Sequence, residues 1–126
     1  MPGDVTVKLP AAQKYDRMAE VAAAHAATHQ GFPPTAVTEL KQAVKEAMLL
    51  LLDPAHPDGT VAIDLQSKAG IVTVEAHLDD SAIPPIPEDR ISRFASVAES
   101  LVDSWKLDPD DHRLLLQKAA PGGGGP

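Results

Sequence analysis

Three sets of residues have types and spacing that could do chemistry. Glu46 stands four residues before Leu50, within "EAMLLLLDPAHP" (residues 46–57). Positions four apart on a helix are neighbours, so whatever stands at 50 lies beside the carboxylate. Asp79 and Asp80 form an acidic pair after an alternating run, where oxygen ligands could hold a cation or hydrogen-bond a ligand. His25 and His29 are one turn apart, the spacing of a two-histidine metal site. Each set also has a plainer reading. An acidic pair at a strand end is commonly just a turn. A lone glutamate is commonly solvated. Without cysteine or an obvious third ligand, the histidines read as half-buried or partner-facing residues, and no metal site is expected.

The totals narrow the function classes. The chain has 126 residues, 44% hydrophobic and 23% charged, with 3% aromatic. That fits one soluble globular domain with a core of Val, Leu, Ile and Ala. The net charge is −7 and the 11 basic residues are scattered. A phosphate-neutralising surface needs a basic patch, so direct nucleic-acid binding is not expected. There is no cysteine, hence no thiolate site or disulfide framework. No apolar run is long enough to span a membrane, and "MPGDVTVKLP" lacks a basic region followed by an apolar one. The expectation is a cytoplasmic protein.

These residues need elements to position them. "DVTVKLP" alternates and reads as a strand. "YDRMAEVAAAHAATHQG" is alanine-rich and reads as a helix over about 13–30, with Gly31 as its C-terminal cap. A second helix begins at Thr35 as N-cap and carries Val37, Leu40, Ala43, Val44, Ala47 and Leu51 as its core stripe. "TVAIDLQ" and "IVTVEAHL" alternate around "SKAG" and make a hairpin. "SAIPPIPE" is a proline-rich crossing. A third helix is expected through "DRISRFASVAESLVDSWKL", with Ile91, Phe94, Ala95, Ala98, Leu101, Val102 and Trp105 on its buried stripe. "HRLLLQKA" reads as a final strand. The domain is expected over residues 1–118, with a flexible Gly/Pro tail over 119–126.

The order β-α-α-β-β-α-β predicts an α/β (α+β) two-layer sandwich: a mixed, mostly antiparallel four-stranded sheet with three helices on one face. This order, with "GFPPTAVTELKQAVKEA" (residues 31–47) and the hairpin ending "VEAHLDD", resembles the GHKL (Bergerat) ATPase fold, in particular the anti-sigma-factor serine kinases of bacteria. The resemblance covers residues 4–118 approximately.

In that family an E-A-x-x-N motif on the second helix supplies a general base and a magnesium ligand. Here it reads Glu46-Ala47-Met48-Leu49-Leu50. The glutamate is kept, and Leu50 offers no oxygen to Mg²⁺. The family's D-x-G-x-G reads Asp79-Asp80-Ser81-Ala82-Ile83. Asp79 matches the adenine-reading aspartate, while Ser81 and Ile83 place a Cβ where glycines let backbone approach the nucleotide. The family's glycine-rich triphosphate loop is matched by "PPIPEDRISRF", whose prolines donate no N–H.

The resemblance therefore implies a degenerate anti-sigma-like domain. It would have no catalytic residue in use, Glu46 and Asp79 as remnants, and no ATP or Mg²⁺. Its partner would be a protein, a sigma factor or an anti-anti-sigma regulator, and a homodimer is possible by the same resemblance. Leu49, Leu50 and Leu52 lie off the core stripe. They are either core covered by the proline loop or an exposed patch for that partner. The alternative is an active, divergent ATP-dependent serine kinase using Glu46 as base and Asp79 for adenine.

Overall fold

The structure, a computed structural model, describes residues 4–53, 59–79 and 84–120. The order is β1 (Asp4–Pro10), a single 3-10 turn (Gln13–Tyr15), α1 (Asp16–His29), α2 (Pro34–Leu51), β2 (Thr60–Lys68), β3 (Ile71–Asp79), α3 (Glu88–Ala98), β4 (Ser104–Asp108) and β5 (Arg113–Ala119). The strands form one five-stranded sheet in the order β1-β2-β3-β5-β4, with every pairing antiparallel. The expected four-stranded mixed sheet is thus corrected to five antiparallel strands.

The extra strand comes from the expected third helix. α3 stops at Ala98, and residues 104–108 pair with β5 instead. Trp105 accordingly lies opposite Leu116 on β4. It meets Phe94 of α3 edge to face, ring centroids 5.2 Å apart. The turn between β4 and β5 carries His112 at φ +52°, and β5 begins at the next residue. β5 runs through Ala119, and Ala120 N–H donates to the Gly70 carbonyl at 2.8 Å. Ala119 thus belongs to the sheet rather than to the tail expected from 119, and Ala120 is tied to the hairpin turn. Residues 121–126 lie outside the described residues.

Alternation builds the sheet's inner face. Val61, Ile63 and Leu65 of β2, Val72, Val74, Ala76 and Leu78 of β3, and Leu114 and Leu116 of β5 are all buried. The β2–β3 hairpin turns through Ala69 and Gly70, both at positive φ.

α1 buries a face made only of alanine: Ala19, Ala23, Ala26 and Ala27. Small side chains let it lie close to α2. Its end follows the expectation. Gly31 takes φ +81° and donates to the Thr28 carbonyl, while Phe32 N–H donates to Ala27. That is a glycine-terminated Schellman end, with Phe32 buried against the core.

α2 starts one step before the expected N-cap. Pro33 is its N-cap and Pro34 its first residue, where proline's missing N–H costs nothing. Its C-terminal half is buried nearly all round: Glu46, Ala47, Met48, Leu50 and Leu51. α2 touches α1, α3 and the strands β3 and β5. A helix enclosed in this way needs apolar residues on every side. That is the physical reason for the leucine run.

Candidate functional site

The cleft beside Glu46 lies between α2 and α3. It is lined by Glu46, Leu49, Leu50, Arg90, Arg93 and Phe94, and its volume is about 90 Å³. The Glu46 carboxylate is buried, and both of its oxygens face partners on the protein. Gln42 Nε2 donates to one oxygen at 3.3 Å, and Arg93 lies 3.6 Å from the other. Arg93 is itself largely exposed, on the solvent side of the pair. A general base must reach the proton it removes, directly or through one water. Here the carboxylate is instead occupied by an amide and a guanidinium.

Leu50 is 2% exposed and faces the core. Its backbone carbonyl accepts a 2.6 Å hydrogen bond from Arg90 on α3. α2 has no basic residue in its own last turn. Arg90 therefore supplies from another helix the cation that a helix C-terminus favours. Leu52 is also buried, at 6% exposure, and only Leu49 of the expected trio is half-buried. Of the two readings of Leu49, Leu50 and Leu52, core or patch, the burial of Leu50 and Leu52 favours core, and Leu49 and Leu50 line the cleft against α3.

Asp79 ends β3 opposite Thr60 and is exposed. It does not line the Glu46 cleft, so the two candidate carboxylates are not brought into one pocket among the described residues. Asp80, Ser81 and Ile83 lie outside those residues.

The proline crossing is fastened beyond them. Ile86 is buried and its N–H donates to Pro109 at 3.3 Å. His112 Nε2 donates to the Pro84 carbonyl at 2.8 Å, because a carbonyl can only accept. The segment that would match a phosphate loop is thus tied to the β4–β5 turn. It leads into α3 through Pro87, and Glu88 and Asp89 occupy that helix's first turn. Two carboxylates at a helix N-terminus satisfy the dipole that would otherwise attract an anion.

His25 and His29 stand together, ring centroids 4.4 Å apart in an edge contact. Both are exposed. No group of three metal-ligating side chains occurs among the described residues. The two imidazoles instead line a wide groove beside α1, a feature absent from the sequence reading. Its signal was present: with alanine on the buried face, the larger Met18 and Val21 must lie elsewhere on α1.

No helix among the described residues is long and apolar enough to cross a membrane. No protein-family model and no curated protein sequence matches this chain.

Proposed function

We propose that this domain is a regulatory protein-binding module of anti-sigma type that works without nucleotide chemistry. Its partner would be a sigma factor or an anti-anti-sigma regulator. The observation that carries the reading is the state of Glu46. Its carboxylate is buried between Gln42 and Arg93, beside a buried leucine where the resembled family places a magnesium ligand. The accompanying cleft of about 90 Å³ is well below the roughly 300–1,000 Å³ of a typical small-molecule site. The acidic first turn of α3, which leaves no need for an anion there, supports the same reading.

The test is binding to the sigma factors and anti-anti-sigma proteins of the source organism, with and without Mg-ATP. The reading expects one of them to bind equally in both conditions, and Glu46→Gln to leave the affinity unchanged. Binding that requires ATP, or phosphate transfer to the partner that Glu46→Gln abolishes, would overturn it.

A further inference from the structure

The helix layer is one helix short of covering the sheet. α2 lies between α1 and α3, and α1 leans on β2 and β3 rather than on the edge strand β1. Cover over β1 consequently runs out along the strand. Leu9, opposite Val61, is buried; Val7, opposite Ile63, is half-buried; Val5, opposite Leu65, is 48% exposed. All three lie on the inner face of the sheet. On α1, Met18 and Val21 turn toward the same open space and are 55% and 58% exposed. Together they line a groove of about 1090 Å³. Val5, Met18 and Val21 are three of the four large hydrophobic residues that are exposed among the described residues, and all three gather at this one groove, as at an interaction surface.

Among the described residues the charged groups that line the groove are Lys14 and Arg17, at one end, with no carboxylate beside them, although the chain carries a net charge of −7; His25, His29, Gln30 and Ser67 supply its other polar groups. The lining residues of α1 recur three or four apart from Arg17 to His29, and Lys14 stands in the 3-10 turn just before them. They form a straight ridge against which a second helix packs.

We propose that this groove binds an acidic amphipathic helix of a partner protein, which fills the empty place in the helix layer over β1. Its apolar stripe would cover Val5, Met18, Val21 and Ala22, and its flanking carboxylates would meet Lys14 and Arg17. This is helix-in-groove recognition. A second copy of the chain is a poorer fit, because two-fold pairing would set the patch against itself, and its described lining offers no carboxylate to Lys14 and Arg17. The inference supplies a surface for the protein-binding reading and rests on it in that respect.

The test uses a synthetic helix of about 18 residues, a length that spans the ridge. It carries leucines at helical spacing with glutamate flanks, and a second peptide has lysine in place of every glutamate. Fluorescence anisotropy should show micromolar binding of the acidic peptide and about tenfold weaker binding of the basic one. Val21→Asp, at an exposed position, should reduce the acidic peptide's affinity by tenfold or more on the same energy scale, with circular dichroism unchanged. Lys14→Glu with Arg17→Glu should reverse the preference between peptides.

Equal binding of the two peptides, or indifference to Val21→Asp, would overturn the proposal. So would a concentration-dependent dimer by sedimentation that Val21→Asp dissociates, which would make a second copy the occupant. Failure here with a regulator still bound independently of nucleotide would sink the groove alone. Nucleotide-dependent binding of that regulator would sink the broader reading.

Discussion

Arg90 of α3 donates a 2.6 Å hydrogen bond to the carbonyl of Leu50 in the last turn of α2. One guanidinium thereby closes the C-terminal end of α2 and fixes the helix that covers the leucine run. Its Nε is buried without a hydrogen-bond partner among the described residues, so the contact carries a penalty as well as a gain. A hydrogen bond from a charged donor is worth about 1.5–3 kcal/mol, and an unmet buried donor costs about 1–3. Arg90→Met keeps the apolar stem and removes both effects. We expect a net loss of about 1 kcal/mol, read as a lower urea midpoint with an unchanged slope. An unchanged midpoint would show that the bond and the penalty cancel.

Leu50→Asn places at position 50 the residue type that the resembled family uses as its magnesium ligand. Leu50 is 2% exposed, so the amide would enter a site built for a leucine. The loss of apolar contacts and the unmet amide together should cost about 2–4 kcal/mol. Mg-ATP should not restore the lost stability in a thermal melt, because Glu46 remains engaged by Arg93 and Gln42. Restoration would mean that a single residue separates this cleft from a working nucleotide site.

The inner face of the sheet and both long helices were legible in the sequence because their periods are unambiguous. The third helix was overextended for the opposite reason. Ile91, Phe94, Ala98, Leu101, Val102 and Trp105 fit a helical stripe, yet "SWKLD" also alternates, with Trp105 and Leu107 half-buried. Pairing with β5 decides between the two. Asp103 helps it, accepting from the Ala119 N–H at 2.7 Å and donating its own N–H to Gln117 at 3.0 Å. Those partners are 14 to 16 residues away and leave no trace in the local pattern. Likewise the leucine run read equally as core or as a patch. The choice depended on where α3 packs, which is a tertiary fact. The glutamate and aspartate were found, but their separation into different surroundings was not.

Ala69 and Gly70 form the tip of the β2–β3 hairpin at φ +54° and +79°. Gly70 is suited to this, whereas a left-handed alanine costs about 1–2 kcal/mol. At Gly70 crowding is not the cause, since a Cβ there has nothing within 4 Å. Ala69→Asn should therefore stabilise the domain by about 0.5–1 kcal/mol, since asparagine tolerates this region and suits the turn. Gly70→Ala should destabilise it by about 1 kcal/mol. Thermal melts of the two variants should move in opposite directions.

The outer face of the sheet holds a charge cluster around Asp111. Arg113 Nε donates to its carboxylate at 2.9 Å, and the second oxygen lies 3.6 Å from His77. The hydrogen bond from Arg113 is the main cause that holds the Asp111 pKa below its usual value. Slight desolvation works against this, and the charges of Arg113 and His77 add to it. A lowered folded-state pKa gives stability that is present above the unfolded value and lost as pH falls through the folded one. The window is therefore acidic, below the ordinary carboxylate range. Because Asp111 is exposed, salt should weaken the effect. An NMR titration should find the Asp111 midpoint depressed, and Arg113→Gln should move it upward. A midpoint unmoved by Arg113→Gln would assign the depression to another group.

The central claim is that Glu46 and Leu50 do not form a nucleotide site. Titrating Mg-ATP and Mg-ADP into the purified protein by calorimetry tests it most directly, with a thermal melt in parallel. A ligand that binds the native state at 100 times its dissociation constant adds about 2.7 kcal/mol of stability. We predict no heat and no shift in melting temperature at millimolar nucleotide. Micromolar binding accompanied by a clear upward shift would contradict the account and make Glu46 a catalytic candidate again.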